Sequence, residues 1–415
     1  MGLVRVEPAS ECEVMGLMVS KPSLLYLGAS ESNDITQRPQ HFAQLLAKHY
    51  PLVYIQPIGL RNLRLTDYRR VLMRLGSLLH RGNKPRTLQF ETANIFYVPF
   101  PSSPKIVSFN ERLLWAQVKT RFGLNTLKGY ILWIGSPNML ARVLLKRARP
   151  CLSIYDCMDD LGAMHCGKEA GRIVREEKEV IRSVDIVLAS SKNLYEMAFE
   201  QNANTFLVPN GVDLAKFNTA FKVHESIPGE IPEGRPIIGY YGTLDRWVNF
   251  DLLDYVAKSR PDWNIILIGP WKLSSQRLLQ RPNVRWLGPK SYETLPSYAR
   301  TFTVATIPFH VDQLTQAVNP VKLYEYLAMG KPVVSTPLIE VEKFSPLVRI
   351  ARSNEEFLAC LQEEIERCPD RELVRQRRAA VQSYSWESRV AQVEEIICAF
   401  MKRAEQPADF DQQPT

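Results

Sequence analysis

The sequence predicts an α/β protein in which two doubly wound parallel sheets form two domains that face a cleft. Three observations lead to this prediction. Short apolar runs typical of buried parallel strands alternate with helical stretches. The alternation stops at residues 218–236, which are rich in charge and turn-forming residues, and then starts again. The chain has 415 residues, which is enough for two domains of ordinary size.

The first domain is predicted over residues 23–217, after a leader at residues 1–22. Its strands are expected at the apolar runs 23–27, 52–55, 95–99, 130–134, 152–155, 186–189 and 205–208. The leader has no apolar segment of the signal-peptide type. The longest uncharged apolar stretch, near residues 130–141, is too short to span a membrane. We therefore expect neither a secretory signal nor a transmembrane helix.

The second domain is predicted over residues 237–385, after a linker at 218–236. Its strands are expected at 237–241, 265–268, 284–287, 304–307, 332–335 and 348–350, with helices between them such as 251–259 and 321–329. A last helix is expected at 386–403, followed by a disordered polar tail at 404–415. In open α/β sheets, ligands bind outside the carboxyl ends of the strands, so functional residues are expected just after each strand.

Positive charge is concentrated in one part of the first domain. The whole chain has a net charge of +8, but residues 51–150 alone hold 17 Lys and Arg against 3 Asp and Glu, a net of +14. Residues 61–86 place arginine and lysine between leucine and valine with the spacing of a basic amphipathic helix. Such a helix suits an anionic membrane surface, and an ordinary solvated helix is the alternative. No nucleic-acid-binding module is apparent, so we do not expect nucleic acid as a partner.

The cysteines argue for a reducing compartment. The chain has seven cysteines, an odd number, and no Cys-x-x-Cys pair. A disulfide framework and a zinc site are therefore not expected. The only Asp-x-Asp sequence lies in the predicted tail, at residues 409–411, so no bound metal is expected either.

The segment 319–334 is the strongest candidate for a ligand site. Pro320 lies where a helix is expected to begin, and the free amide groups at a helix N-terminus bind phosphate. Lys322 lies in the first turn, where a cation opposes the helix dipole, so it is better explained as a partner for an anionic ligand. Glu325 lies one turn further and can accept two hydrogen bonds from a sugar diol such as ribose. A solvated carboxylate is the alternative for Glu325.

A second candidate is the segment 237–246, which contains two glycines. The expected strand runs into Gly242, and glycine allows a backbone to approach a ligand closely. Arg246 follows, and its guanidinium group can hold a phosphate with two hydrogen bonds. A simple tight turn is the alternative.

Further candidates follow the strands of the first domain. Asp156 comes directly after the expected strand 152–155, where it could orient sugar hydroxyls or take a proton from an acceptor. Asp159 is a second cleft candidate, with helix capping as its alternative. Arg38 follows the first strand and could face the phosphates of a ligand across the cleft, with a surface loop as the alternative. His165 is a last cleft candidate, for which surface exposure or packing is the alternative.

These motifs resemble those of the GT-B glycosyltransferases of family 4, the group 1 type. The segment 319–334 is similar to the donor-site signature of that family. The segments 208–213 (with Phe217) and 239–242 also fit the family pattern, as does Ser191. Four further segments are similar to those of bacterial teichuronic-acid and exopolysaccharide glycosyltransferases: 37–40, 155–160, 268–270 and 283–288. The resemblance covers roughly residues 23–400.

The resemblance implies a GT-B fold, in which two Rossmann-like domains face a cleft and the second binds a nucleotide sugar. It implies that Glu325 holds the ribose, that Lys322 holds the diphosphate and that Pro270 lies near the base. The donor-site residues that it implies are Gly242, Thr243, Arg246, Pro270, Asn319, Pro320, Val321, Lys322, Leu323 and Glu325. It also implies that the last helix crosses back to support the first domain.

Two positions depart from the family pattern. The first glutamate of the family's Glu-x7-Glu motif would fall at position 317, which is Ala317. The arginine and lysine expected after the Gly242 loop form an incomplete pair, because Arg246 has no lysine after it until Lys258. The sequence therefore leaves the identity of the donor sugar open.

We expect a metal-independent glycosyltransferase of the hexosyltransferase type, acting with retention and without a cofactor beyond its nucleotide-sugar substrate. The expected acceptor is a glycan or a lipid-linked precursor of a bacterial surface polysaccharide. The expected location is the cytoplasm, peripheral on the inner face of the membrane. Asp156, Lys322 and Glu325 are the candidate catalytic residues. The alternatives are a nucleotide-sugar epimerase on the same fold and a non-catalytic glycan-binding protein.

Overall fold

The structure is a computed structural model. It describes residues 22–30, 36–57, 90–93, 95, 104–122, 129–165, 168–218, 229–367 and 370–405. The basic segment 61–86 lies outside the described residues. So do the leader up to residue 21, the tail beyond residue 405 and residues 219–228 of the predicted linker.

Two sheets organise the chain, and every strand pair in them is parallel, as predicted. The strands of the first sheet are β1 (Leu24–Leu27), β2 (Leu52–Ile55), β3 (Glu91–Ala93), β4 (Ile131–Ile134), β5 (Leu152–Cys157), β6 (Ile186–Ala189) and β7 (Thr205–Leu207). Their order across the sheet is β3-β2-β1-β4-β5-β6-β7. The register pairs Tyr26 of β1 with Tyr54 on one side and with Trp133 on the other.

The second sheet has the same doubly wound plan with one strand fewer. Its strands are β8 (Ile237–Tyr241), β9 (Asn264–Ile268), β10 (Val284–Trp286), β11 (Val304–Ile307), β12 (Val333–Ser335) and β13 (Arg349–Ile350). Their order is β10-β9-β8-β11-β12-β13. The predicted α/β class with two parallel sheets is therefore confirmed. The domain boundaries 23–217 and 237–385 stay predictions, and we call the two parts the first half and the second half.

The strand positions agree closely with the apolar runs, with two differences. A strand was expected at 95–99, but the structure places β3 at Glu91–Ala93, next to β2, and residues 96–99 lie outside the described part. Among the described strands, β3 lies at the edge of its sheet with β2 as its one neighbour, so it needs no continuous apolar run. β5 continues through Cys157, two residues beyond the predicted end, because Asp156 is buried and pairs with β6 in the ladder.

Helices cover both faces of each sheet. In the first half they are α1 (Arg38–Leu46), α2 (Pro104–Phe122), α3 (Met139–Arg147), α4 (Leu161–Met164), α5 (Lys168–Ser183), α6 (Lys192–Phe199) and α7 (Leu214–Asn218). In the second half they are α8 (Phe250–Ser259), α9 (Leu295–Ala299), α10 (Gln313–Gln316), α11 (Val321–Ala328), α12 (Ile339–Glu342), α13 (Asn354–Glu366), α14 (Arg371–Ala379) and α15 (Trp386–Glu405).

The first sheet separates two apolar cores. One core contains buried residues of α2, α3, α5 and α6, among them Leu114, Leu144 and Ile181. The other contains buried residues of α1 and α15, among them Phe42 and Trp386. The alternation of side chains along each strand produces this division, because successive residues of a strand point to opposite faces.

The last helix, α15, packs against the first half although it follows the second half in sequence. Trp386 is 1% exposed and its ring stacks on that of His41 in α1, with the ring centroids 4.5 Å apart. Val390, Val393 and Ile397 continue this contact along the helix. Burying these side chains removes a large apolar area from water and joins the end of the chain to its beginning.

None of the helices in the described ranges has both the length and the apolar character that a membrane crossing requires. The described cysteines, which are Cys151, Cys157, Cys360 and Cys398, are all free thiols.

Candidate functional site

The best candidate site lies where the strand order of the second sheet reverses. β8 and β11 are neighbours in this sheet, and the chain continues from them to opposite edges. A crevice forms at the carboxyl ends of such a pair, and ligands of open α/β sheets bind there. Gly242 follows β8, and after β11 the chain passes through the short helix α10 and then enters α11. The two segments predicted to bind a ligand therefore meet at this crevice.

Gly242 allows the backbone after β8 to lie close to Lys322. Its φ is +131°, in the region that favours glycine. A Cβ atom at this position would lie 2.9 Å from Cε and 3.2 Å from Nζ of Lys322. Any other residue here would therefore strain the backbone and displace the lysine side chain.

Lys322 presents a cation that lacks a carboxylate partner. Its ammonium group lies 4.9 Å from the ring centroid of Phe309 and 5.3 Å from that of Tyr240. Within the part of the chain that the structure describes, no carboxylate lies at ion-pair distance from it. Burial lowers the pKa of Lys322 to about 8, and the charge of Glu325 opposes this shift. A partly desolvated cation in the first turn of α11 is suited to an anionic ligand.

Glu325 lies one turn beyond Lys322 and is buried, with 4% of its surface exposed. The hydroxyl of Tyr241 donates a hydrogen bond of 2.7 Å to Oε2 of Glu325. Burial raises the pKa of Glu325 to about 7, and Tyr241, Lys322 and Tyr292 oppose the rise. The carboxylate is thus held in place on one oxygen, while Oε1 can still accept hydrogen bonds.

Sequence reasoning missed the aromatic residues that surround these two side chains. Tyr241 holds Glu325, while Tyr240 and Phe309 enclose the ammonium group of Lys322. The signal that could have identified Tyr241 is its position, because a side chain with a polar tip at the carboxyl end of a buried strand faces the crevice.

Three predicted donor-site residues shape the loops around the crevice. The carbonyl of Thr243 accepts a hydrogen bond of 3.1 Å from the hydroxyl of Tyr240. The carbonyl of Pro270 accepts one of 2.9 Å from the amide of Leu244, which joins the loops after β8 and β9. Arg246 is exposed, and its Nη2 donates to the carbonyl of Ala163 in the first half, at 2.7 Å. The predicted phosphate contact of Arg246 stays a prediction.

The start of α11 is fixed by residues on either side of Lys322. Pro320 directly precedes the first helical residue, Val321, where the helix was predicted to begin. Val321 packs against the core that contains α1 and α15, and Leu323 is fully buried in the core of the second half. These two side chains point away from the crevice, so only their backbone amides can serve a ligand. The side chain of Asn319 is also occupied, since it forms hydrogen bonds at both its oxygen and its nitrogen.

Arg38 and Asp156 form a buried ion pair inside the first half. Asp156 is 0% exposed and Arg38 is 3% exposed. Nε of Arg38 donates to both carboxylate oxygens of Asp156, at 2.9 and 3.2 Å, and Nη2 lies 2.8 Å from Oδ1. Burial raises the pKa of Asp156, and the Arg38 charge opposes that shift. The pair therefore stabilises the interior of the first half. The sugar contact predicted for Asp156 and the phosphate contact predicted for Arg38 stay predictions.

Asp159 and His165 lie at the cleft side of the first half, near the carboxyl end of β5. Asp159 is partly exposed, and burial together with Asp156 and Asp160 raises its pKa. His165 is partly exposed, and its Nδ1 lies 2.9 Å from the carbonyl oxygen of Leu161. Across the cleft, Gln313 donates a hydrogen bond of 2.9 Å to Asp160. No His, Cys, Asp and Glu side chains of the described residues form a group of three that could hold a metal ion.

Ala317, at the position of the missing family glutamate, is 4% exposed. It packs in the core of the first half that contains α2 and α3. The position therefore faces the first half rather than the crevice, and it supplies no polar contact to a sugar.

Comparison with known proteins supports this description of the second half. Residues 224–343 match the family described as "Glycosyl transferases group 1". The chain is also 29% identical over 207 residues to a Bacillus subtilis (strain 168) protein described as "Putative teichuronic acid biosynthesis glycosyltransferase TuaH". That match covers 46% of this chain and 51% of the relative, so the chain spans about half the length of the relative that it matches.

Solved structures share the whole architecture at low sequence identity. Sucrose-phosphate synthase (tll1590) from Thermosynechococcus elongatus superimposes with a TM-score of 0.65 at 14% identity, covering 92% of this chain and 100% of that one. Anabaena Alr3699/HepE in complex with UDP and glucose gives a TM-score of 0.62 at 14% identity, covering 91% of this chain and 100% of that one. These similarities show that the chain shares the fold of these two structures in both of its halves.

Proposed function

We propose that this chain is a glycosyltransferase. Its GT-B fold and its similarity to group 1 glycosyltransferases, both of which the sequence predicted, support the proposal. Its donor is a nucleotide-diphosphate sugar. One observation carries the proposal: the ammonium group of Lys322 lies at the N-terminus of α11, beside Gly242, with no carboxylate of the described residues at ion-pair distance. Glu325 lies one turn away with one carboxylate oxygen held by Tyr241. A cation and a carboxylate one helical turn apart are the groups that a diphosphate and its neighbouring ribose require.

The donor binds through the second half. Lys322 and the first amide groups of α11 hold the diphosphate, since a helix N-terminus and a cation both attract phosphate. The free oxygen of Glu325 accepts hydrogen bonds from the ribose hydroxyls. Gly242 and Thr243 bring the loop after β8 against the phosphates, and Pro270 lies beside the base. The Anabaena relative was solved with UDP-glucose, so uridine nucleotides are the first to test.

The reaction exchanges one bond at the sugar carbon for another. The bond from that carbon to the diphosphate oxygen breaks, and the diphosphate leaves with the electron pair. The acceptor oxygen forms the new bond, and its proton passes to an oxygen of the leaving diphosphate. Lys322 and the amide groups of α11 stabilise the negative charge that develops on the leaving diphosphate. The contacts across the cleft, such as Arg246 with Ala163, help to keep water from the sugar.

We further propose that the acceptor is a glycan or a lipid-linked precursor in surface polysaccharide biosynthesis. The similarity to the Bacillus subtilis protein supports this class of acceptor. By resemblance to the family, the transfer is metal-independent and retains the sugar configuration. Asp156 was predicted to lie near the reacting sugar, and its burial with Arg38 favours a supporting role in the first half instead.

The donor site can be tested by nucleotide binding. We expect one of UDP, GDP, ADP and dTDP to raise the melting temperature of the protein, since a ligand at 100 times its Kd adds about 2.7 kcal/mol of stability. In Glu325→Gln we expect binding to weaken about tenfold or more, because hydrogen bonds to a charged group contribute about 1.5–3 kcal/mol. Thermal shift and titration calorimetry measure both effects.

The matched control is Glu395→Gln, an exposed glutamate on α15, which should leave nucleotide binding unchanged. A protein that responds to none of the four nucleotides would contradict the proposal. Products formed without an acceptor would separate the epimerase alternative from transfer.

We also propose that residues 61–86 bind an anionic membrane surface from the cytoplasmic side. These residues lie outside the described part, so the proposal rests on their charge and spacing. We expect the protein to sediment with vesicles that contain an anionic lipid and to be released as salt is raised, because salt screens such attraction. Replacing Arg69, Arg70 and Arg74 with glutamine should weaken the binding. Equal sedimentation with neutral vesicles would rule the proposal out.

A further inference from the structure

A continuous set of buried polar contacts connects the first sheet to the start of α11. It begins at Arg38, which is held by Asp156 on β5. Nη1 of Arg38 donates to the carbonyl of Val208 at 2.8 Å and to that of Pro209 at 3.2 Å. The same nitrogen donates to Oδ1 of Asn210 at 3.3 Å. The loop after β7 is therefore fixed to the interior of the first half.

Asn210 also forms hydrogen bonds with Asn319 in the second half. Its backbone amide donates to Oδ1 of Asn319 at 3.1 Å, and its side-chain Nδ2 donates to the carbonyl of Asn319 at 2.7 Å. Asn210 is 9% exposed and Asn319 is 4% exposed, so these bonds are shielded from water. We call this reciprocal pair the asparagine clasp. It joins the two halves through two side chains that are 109 residues apart.

The other end of Asn319 is fixed within the second half. Its Nδ2 donates to the hydroxyl of Tyr324 at 2.8 Å and to Oε2 of Glu340 at 3.0 Å. Glu340 is 2% exposed, and its Oε1 accepts from the backbone amide of Lys192 in the first half at 2.8 Å. Oxygen and nitrogen of the Asn319 amide are thus both engaged. The donor contact that the resemblance implied for Asn319 stays a prediction.

Asn319 lies three residues before Lys322, and only Pro320 and Val321 separate them. The ring of Pro320 fixes one backbone torsion between the clasp and the helix. Val321 is held in the core that contains α1 and α15. The position of the first turn of α11, and with it that of the Lys322 ammonium group, therefore depends on the clasp. A shift of this turn by a fraction of an ångström changes every contact to a diphosphate.

We propose that Asn319, held by Asn210 of the other half, is a positioning residue that sets the affinity of Lys322 and the α11 amides for a diphosphate. This inference rests on the proposed function, because it concerns the same donor site. Asn210, which lies in the first half, thereby affects the affinity for phosphate in the second half. We expect the diphosphate contacts to depend on the clasp more than the ribose contact, because Lys322 of α11 lies nearer to Asn319, whereas Glu325 is also held by Tyr241 of β8.

The test compares UDP with uridine in the full chain. We expect Asn210→Ala to bind UDP about five- to tenfold more weakly, the effect of losing one or two buried hydrogen bonds, while its affinity for uridine stays within about twofold of wild type. Asn319→Ala should show the same selective loss to a greater degree. Asn210→Ala keeps its backbone amide bond to Asn319, so it remains informative if Asn319→Ala fails to fold. Titration calorimetry measures UDP, and competition measures uridine.

The matched control is Asn202→Ala. Nδ2 of Asn202 donates to the carbonyls of Ile181 and Val184, both at 2.8 Å and both in the first half. It therefore loses hydrogen bonds of the same kind without touching the clasp, and should leave the affinities for UDP and uridine unchanged. Equal losses for UDP and uridine in Asn210→Ala, or unchanged UDP binding, would overturn the inference. If wild type binds neither UDP nor the other three diphosphates, the proposed function fails first.

Discussion

The Lys322→Met variant is expected to lose about 10²–10³ in kcat for sugar transfer, the usual cost of removing one group that stabilises a developing negative charge. It should also bind UDP about 10–100-fold more weakly. Methionine keeps the length and much of the volume of the lysine stem between Tyr240 and Phe309, so folding should be preserved. Transfer of sugar from the nucleotide donor and calorimetry with UDP measure the two losses.

The pH dependence gives this variant a second readout. The pKa of Lys322 is about 8, so its ammonium group is charged below that pH and loses its charge as the pH rises through it. The pKa of Glu325 is about 7, so its carboxylate becomes a full acceptor as the pH rises through 7. Wild-type affinity for UDP should therefore peak between about pH 7 and 8. In Lys322→Met the alkaline decline should disappear while the acid one remains.

Lys258→Met is the control for Lys322→Met. Lys258 is exposed on α8 and pairs with Asp254 in the same helix, away from the crevice. It should change neither the affinity for UDP nor the pH profile. An alkaline decline that survives in Lys322→Met would show that another group causes it, and unchanged UDP affinity would remove Lys322 from the donor site.

The second large effect is expected at Asp156. Replacing it with alanine should lower the free energy of unfolding by about 3–5 kcal/mol, because it leaves the buried charge of Arg38 without its partner. Urea denaturation measures the change. The double variant Arg38→Met with Asp156→Leu should recover part of the loss, since apolar residues of similar volume can replace a buried pair.

Asp262→Ala is the matched control for Asp156→Ala. Asp262 pairs with Arg260 at 2.8 Å on the surface, where solvent screens the attraction, so the free energy of unfolding should change little. The experiment also decides between two roles for Asp156. An Asp156→Ala protein that keeps its stability but loses transfer would place the carboxylate at the reacting sugar. Large destabilisation makes it a structural partner of Arg38.

Local patterns were sufficient to predict the sheets and to bring Lys322 and Glu325 forward as candidate donor-site residues. Strands β2, β6, β8 and β11 begin and end at the predicted residues, because a buried parallel strand needs a continuous apolar run. Lys322 and Glu325 were found for a similar reason. A helix N-terminus and the residues of its first turns are adjacent in sequence, so their geometry follows from helix periodicity alone.

Contacts between distant residues could not be predicted in this way. Arg38 and Asp156 are separated by 118 residues, and a sequence pattern does not show which carboxylate an arginine will meet. Their positions after strands favoured roles in the cleft, whereas the tertiary structure uses them in the interior. The asparagine clasp was missed for the same reason. Asn319 was predicted as a donor-site residue and Asn210 only as part of the segment 208–213, and only the packing of the two halves brings them together.

The position of α15 has a consequence for the order in which the chain can fold during its synthesis. Residues 22–218 leave the ribosome long before residues 386–405, yet one face of the first sheet is covered by Trp386, Val390 and Ile397. This face stays open until nearly the whole chain has been translated. Domains usually fold in sequence from the N-terminus as they emerge. Here residues 22–218 can complete their core only after residues 386–405 have been translated. Nascent chains should therefore depend on chaperones until then.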